Sequence, residues 1–284
     1  HFRENGLYSH DSISKINDLR CMRVMDSSKI RSRVWVEVNL DTLEENFNKI
    51  RTAVDPAKVL AVLKANAYGL GVEKIAERLN RAGAAGFCVA ELKEALPLIR
   101  FGKPVQILGG VLDYEIPEAV AHGIILGITD METAKKISAE AVRQGKTAEC
   151  HFKLDTGMGR LGILAKDAVG LIPEVLKLPN LDCCGIYSHF PVAYRGEDNF
   201  STHQADKFYR ILEAMREKGI YFRKIHMANS DGINNCPFSY HYPFNYVRTG
   251  INLHGSFDSE GQRTLDLKSI LTLKTRVVAV RNMP

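Results

Sequence analysis

The chain has 284 residues, 45% hydrophobic and 25% charged, with 38 Lys and Arg against 33 Asp and Glu for a formal net charge of +5. That size and mixture suit one large globular domain, or one domain with part of another, and exclude a peptide-sized or disordered protein. The positive excess is spread without a basic block, so nothing demands a nucleic acid or an anionic membrane, and a small-molecule ligand is the better expectation. Apolar stretches such as 59–63 and 123–128 fall far short of the roughly 18–20 residues that span a bilayer.

In chain order, residues 1–32 lack an apolar leader core, and Glu4, Asp11, Asp18 and Asp26 interrupt the basic residues. They read as an N-terminal extension rather than a targeting segment. The opening at His1 instead of Met suggests a fragment, a processed product or an altered start. Residues 33–39 (RVWVEVN) alternate as a half-buried strand, followed by a predicted helix over 40–54 with Asp41 or Thr42 near its cap. Short apolar runs then alternate with amphipathic stretches about every 25 residues, the pattern of strand-helix units around a parallel sheet. Eight strands are predicted, at 59–65, 85–90, 104–110, 124–129, 148–155, 181–190, 222–229 and 246–255.

The clearest helices are 72–82, 132–144 and 204–218, the last with Phe208, Ile211, Leu212 and Met215 on one face. Gly83, Gly145 and Gly219 serve as stops. An open doubly wound sheet has the same local pattern, but eight units favour closure into a TIM (β/α)8 barrel, an α/β fold. The barrel is assigned to 33–265. The β-branched stretch 268–281 opens a β-rich module over 266–284.

Reactive groups in such a barrel come from the C-terminal ends of its strands. The first strand ends in Lys64, the fifth in Lys153 and Asp155 with Arg160 beyond, the sixth in Ser188 and His189, the seventh in Asn229 and Ser230, and the eighth in Arg248 and Gly250. A lysine finishing a buried strand is expected to lose hydration, which disfavours its charged form and frees the amine to attack a carbonyl. Lys64 is therefore a Schiff-base candidate, against the plain alternative that it reaches to the rim. Tyr68, Asn229, Ser230 and Gly250 offer hydroxyl, amide and backbone donors suited to a phosphate. An imine-forming lysine beside a phosphate cradle implies pyridoxal phosphate.

Six cysteines, at 21, 88, 150, 183, 184 and 236, form no C-x-x-C pair and no zinc spacing. Reduced thiols in a cytoplasmic setting are expected, and no metal. Cys183 and Cys184 read as core packing. His151, His203 and His226 are read as surface or satisfied core residues. The Asp155-Thr156-Gly157 triplet spells an aspartic-protease signature, but the βα repeat is the wrong frame for one.

Five segments in order, VLKANAYGLG (62–71), HFKLDTGMGRLG (151–162), YSHF (187–190), ANS (228–230) and VRTGINLHG (247–255), resemble the motif series of the alanine racemase family. The resemblance runs from about Arg33 to the end of the chain. It implies a barrel that binds pyridoxal phosphate, a β-rich C-terminal domain and a head-to-tail homodimer supplying D-alanine for peptidoglycan. It also implies roles for individual residues. Lys64 would hold the cofactor and act as one of two bases. Tyr68, Ser230, Gly250 and Ile251 would contact the phosphate, and Asn229 would hold that loop. Arg248 would face the pyridine nitrogen with His189 behind it in hydrogen-bonding support. Arg160 would lie near the phenolic oxygen, steadied by Lys153, which is often carbamylated.

An arginine opposite the pyridine nitrogen has a physical meaning. A guanidinium stays charged and cannot accept a proton, so the ring nitrogen stays unprotonated and the electron sink is weakened. That favours racemisation over transamination or decarboxylation. Asn66, Leu70, Thr249 and His254 depart from the family's commonest Asp, His, Pro and Tyr, which touches substrate preference and rim packing rather than the cofactor assignment. The family's second base, a tyrosine of the partner's C-terminal domain, would fall beyond Pro284, so this chain alone is expected to be a poor racemase. A serine-preferring relative and a non-enzymatic single-barrel pyridoxal phosphate carrier are the competing readings.

Overall fold

The structure is a computed structural model that describes residues 2–4, 32–195, 199–258 and 260–283. The extension at 1–32 lies outside the described residues except for a short strand at Phe2–Glu4 and residue 32, and Cys21 lies outside them too.

Eight parallel strands form the barrel: β1 (Lys58–Val62), β2 (Gly86–Val89), β3 (Val105–Ile107), β4 (Leu126–Ile128), β5 (Ala148–Asp155), β6 (Leu181–Tyr187), β7 (Lys224–His226) and β8 (Tyr246–Thr249). Each pairs with its sequence neighbour, and β8 returns to β1 with Arg248 opposite Leu60. A parallel bridge between Gln106 and Ile125 joins β3 to the strand entering β4 and completes the circuit. The barrel is therefore an α/β TIM-type ring, as the eight sequence units imply.

Strand alternation divides the interior into two chemistries. On β5, Cys150, Phe152 and Leu154 join the large apolar core between strands and helices. His151, Lys153 and Asp155 alternate with them and are also buried. Leu60, Val62 and Cys88 form a separate small apolar cluster on the other face of their strands. The barrel lumen is thus polar along β5 to β8 and apolar along β1 and β2.

The first long helix covers Leu40–Ala53, and its N-cap is Asn39, whose side chain accepts from the amides of Asp41 and Thr42 at 3.0 Å each. Asp41 and Thr42 are capped rather than capping. Outside the barrel, Val34–Val38 pairs antiparallel with Leu271–Thr275. The strand expected over 268–281 is confined to that five-residue core, and Val277, Val278 and Val280 beyond it are exposed.

Candidate active site

The chain after β1 takes an uncommon path. Ala65, Asn66, Ala67 and Tyr68 all have φ between 52° and 57°, a left-handed turn that ends at Gly69 with φ 86°. Such a turn costs roughly 1–2 kcal/mol per residue for non-glycine side chains, so the surroundings must hold it. They do so with directed bonds. Glu94 accepts from the amides of Ala65 (2.5 Å) and Ala90 (2.8 Å), while Asn66 Oδ1 accepts from the amide of Val72 at 2.9 Å. The asparagine thus starts the following helix through its amide oxygen, a task an Asp could share.

This turn presents Lys64 to solvent rather than enclosing it. Lys64 is exposed, so the desolvation expected from its place after a buried strand is not found. The chain leaves the strand direction directly after it. Its Nζ lies 5.8 Å from the centroid of the Tyr68 ring, at the barrel mouth. The buried lysine is Lys153, 5% exposed and 4.8 Å from the Tyr187 ring. Burial, reinforced by the Arg248 and Arg160 guanidinium groups, brings its pKa down to about 7.

Arg248 is the electrostatic centre. It is 3% exposed, and its guanidinium donates to His226 Nδ1 (2.6 Å), the Ser188 carbonyl (2.6 Å) and the Met227 carbonyl (3.1 Å). The Tyr187 ring lies 5.4 Å away and stacks on His226 with centroids 4.9 Å apart. The hydrogen-bonding support assigned to His189 belongs to His226 instead. His226 sits on β7, next to β8, and the β8 pairing turns it toward the Arg248 side chain; His189 lies past the end of β6. His189 is held far below the usual histidine range by burial and then by Arg248, Lys153, Arg160 and Lys64. The Arg248, Arg160 and Lys64 cations and the partly protonated Lys153 amine thus bear on one imidazole, which makes the mouth positive.

A second patch adjoins it. Ser230 Oγ accepts from the amides of Gly250 (3.1 Å) and Asn252 (3.5 Å). Asn229 caps the short Ser230–Asn235 helix by accepting from the Gly232 amide, and it donates to the Phe190 carbonyl at 3.1 Å. Gly250 has no room for a side chain, because a Cβ there would stand 2.1 Å from the Tyr68 hydroxyl. Ile251 begins the 3-10 turn Ile251–His254 directly after it. Two hydroxyls and a close-packed backbone amide thus meet in one cradle whose donors suit a phosphate. His254 meets the Tyr68 ring edge-on at 5.3 Å, and burial lowers its pKa to about 4, so it stays neutral.

Arg160 is exposed on the loop after β5. Asp155 does not act as an acid pair there. Its carboxylate accepts from the amides of Gly157 (2.8 Å) and Gly159 (2.9 Å) and shapes that loop. Cys184 and His226, read from sequence as packing or satisfied core, both take part in a buried polar chain beneath Arg248. Inward alternation on adjacent strands was the sequence signal for it.

A closed parallel barrel whose C-terminal mouth combines an accessible amine, a buried guanidinium and a cluster of hydroxyl and amide donors defines a (β/α)8-barrel protein with a positive, polar mouth. The profile described as "Alanine racemase, N-terminal domain" matches residues 38–257, and the chain belongs to that family. It is 36% identical over 255 residues to the alanine racemase of Clostridium tetani, covering 88% of this chain and 65% of that protein. The chain thus spans about two thirds of the length of the relatives it matches. Among solved structures it is similar to alanine racemase of Clostridium difficile 630 in complex with cycloserine, with TM-score 0.84, 30% identity, and coverage of 89% of this chain and 71% of that one. It is also similar to alanine racemase from Bartonella henselae with covalently bound pyridoxal phosphate, with TM-score 0.76, 27% identity, and coverage of 87% and 67%. No helix among the described residues is long and apolar enough to cross a membrane.

Proposed function

We propose that this chain is the cofactor-binding barrel of a pyridoxal phosphate-dependent amino-acid racemase acting on alanine. The observation that carries the reading is the meeting, at one end of the barrel, of the exposed Lys64 amine against Tyr68, the buried Arg248 guanidinium, and the Tyr68, Ser230 and Gly250 cradle. The accessible amine fits the cofactor's aldehyde, the cradle its phosphate, and the donor-only guanidinium its ring nitrogen. Pyridoxal phosphate supplies an electron-withdrawing ring that acidifies the Cα proton of an attached amino acid.

The residues of this chain divide the remaining work. Lys64 Nζ carries the covalent attachment and moves a proton at one face of Cα. Tyr68, Ser230, Gly250 and Ile251 hold the phosphate, and Asn229 fixes the loop that bears Ser230. Arg248 would hold the ring nitrogen unprotonated, because a guanidinium has no lone pair to offer and no readiness to give up its proton. Arg248 would thereby suit the site to proton return at Cα rather than to side reactions. Arg160, exposed on the loop after β5, would serve as the cationic partner of the phenolic oxygen.

Lys153 acts as the group that steadies Arg160. With its pKa near 7, a share of its amine is neutral, and its lone pair can bond to the carbon of carbon dioxide with release of one proton. The resulting carbamate would replace a cation between Arg248 and Arg160 with an anion. The second base for the opposite face of Cα comes from outside the portion of the relatives that this chain matches. Further parts of the same reading are a head-to-tail homodimer, a cytoplasmic location and supply of D-alanine for peptidoglycan.

The test is spectroscopic. Purified protein incubated with pyridoxal phosphate is expected to gain the long-wavelength absorption of the bound cofactor, and Lys64→Ala is expected to abolish it. Wild-type protein that acquires no such band would overturn the reading.

A further inference from the structure

Beneath Arg248 a chain of polar side chains runs down the lumen toward the opposite, N-terminal end of the barrel. Arg248 Nη1 lies 2.6 Å from His226 Nδ1, His226 Nε2 lies 3.2 Å from His151 Nδ1, and His151 Nε2 lies 3.4 Å from Glu149 Oε1. The two histidines are 0% and 1% exposed. Glu149 also takes an ion pair from Lys224 and a hydrogen bond from the Cys184 thiol at 3.2 Å.

The ends of this chain fix its protons. A guanidinium only donates, so His226 must present a lone pair at Nδ1 and carry its proton on Nε2. That proton points at His151 Nδ1, which must then accept, leaving the His151 proton on Nε2 facing Glu149. An ionised carboxylate only accepts. Hydrogen bonds from His151 and Lys224 hold the Glu149 carboxyl down at about 2, so it is ionised at any working pH. Both imidazoles are held neutral, chiefly by burial. One arrangement of two protons satisfies all four groups, and the reverse arrangement would set a donor against the guanidinium.

We propose that Glu149 is a remote positioning residue for Arg248, selecting through His151 and His226 the tautomers that let the guanidinium keep its place. Its significance for catalysis rests on the function proposed above, but the placement of the protons does not. The same geometry argues against the other use of these groups. Glu149, His151 and Cys184 put three ligand atoms within 4.8 Å of one another, close enough for a metal ion. A cation there would need the lone pair of His151 Nε2, which would turn Nδ1–H against the Nε2–H of His226. Lys224 already occupies the carboxylate, and burial pushes the Cys184 thiol up to about 12, away from the thiolate a metal prefers.

The test uses the whole chain without cofactor, labelled with nitrogen-15 and read through the ring nitrogens of His151 and His226. Wild-type protein is expected to show both rings neutral with the proton on Nε2. Glu149→Met is expected to shift the tautomer ratio of these rings toward Nδ1–H by about tenfold and to speed exchange of the Arg248 Nη protons by a similar factor, the scale of a lost charge-assisted hydrogen bond. Glu149→Gln, which keeps an acceptor oxygen, is expected to restore the wild-type signature, and Lys224→Met to leave it unchanged.

Wild-type rings in any other protonation state would overturn the proposal even if Glu149→Met failed to fold. So would tautomers and exchange rates indifferent to Glu149→Met, or Glu149→Gln behaving like Met. Intact tautomers in a protein that binds no pyridoxal phosphate would sink the functional reading and leave this one standing.

Discussion

The two ends of the barrel treat charge in opposite ways. At the C-terminal mouth, none of Lys64, Lys153, Arg160 and Arg248 makes a salt bridge among the described residues. The nearby carboxylate of Asp155 is taken up by backbone amides. At the N-terminal end, Lys224 is paired with Glu149, and Arg223 with Asp182 at 2.5 Å. Burying a guanidinium with no carboxylate beside it costs stability, and Arg248 is held instead by His226 and the Ser188 and Met227 carbonyls. The mouth keeps its positive charge without ion pairs, while the opposite end pairs its cations with carboxylates.

The sharpest way to break this comparison is to make one substitution at both ends. Gly185→Ala would bring a Cβ to 2.3 Å from the ring of His151, which is locked between strands. It is expected to destabilise the fold by about 3 kcal/mol in urea unfolding, the upper range for overpacking. Gly250→Ala meets the hydroxyl end of the half-buried Tyr68 ring, with Oη at 2.1 Å, Cζ at 2.9 Å and Cε2 at 3.2 Å, so it fits only if that one side chain at the mouth turns aside. It is expected to lower stability by about 1 kcal/mol or less and to weaken pyridoxal phosphate binding by about tenfold. Equal stability losses at both positions would erase the distinction between the two ends.

A smaller effect sharpens the account of the mouth. Lys153 titrates near 7 in the folded chain, against about 10.4 for an unperturbed lysine. Between those values the unfolded chain binds a proton that the folded chain does not, so stability should rise with pH from about 7 to about 10. As pH falls through 7, that gain is lost. The slope from this one group is at most about 1.4 kcal/mol per pH unit. Urea unfolding at several pH values in carbon dioxide-free buffer should show the rise in wild type and not in Lys153→Met. An identical slope in both proteins would mean that Lys153 is not desolvated as described.

The ring of eight strands was legible because its strands are nearly continuous apolar runs, buried on both faces. Strand ends were less so. The run at 246–255 looks strand-like throughout, yet β8 stops at Thr249 and a 3-10 turn follows Gly250, where Tyr68 crowds the backbone. The exposure of Lys64 was not readable either. It depends on four left-handed residues pinned by Glu94, about thirty positions away in sequence, and no local propensity announces that clamp. His189 stood out because it lies at the end of the predicted strand 181–190, while His226 was hidden inside the predicted strand 222–229; in the structure β6 stops at Tyr187 and His226 is the last residue of β7. The cue available was that His226 and Arg248 occupy inward positions on adjacent strands, and cross-strand partners of that kind emerge only when the register is known.

The central claim is that an exposed amine at the mouth, and not the buried one, captures the cofactor. The direct measurement is to incubate the protein with pyridoxal phosphate, reduce the adduct with borohydride, digest it and locate the modified lysine by mass spectrometry. The label is expected on Lys64, with Lys153 unmodified. Label concentrated on Lys153, or scattered over surface lysines with Lys64 no more reactive than the rest, would contradict it.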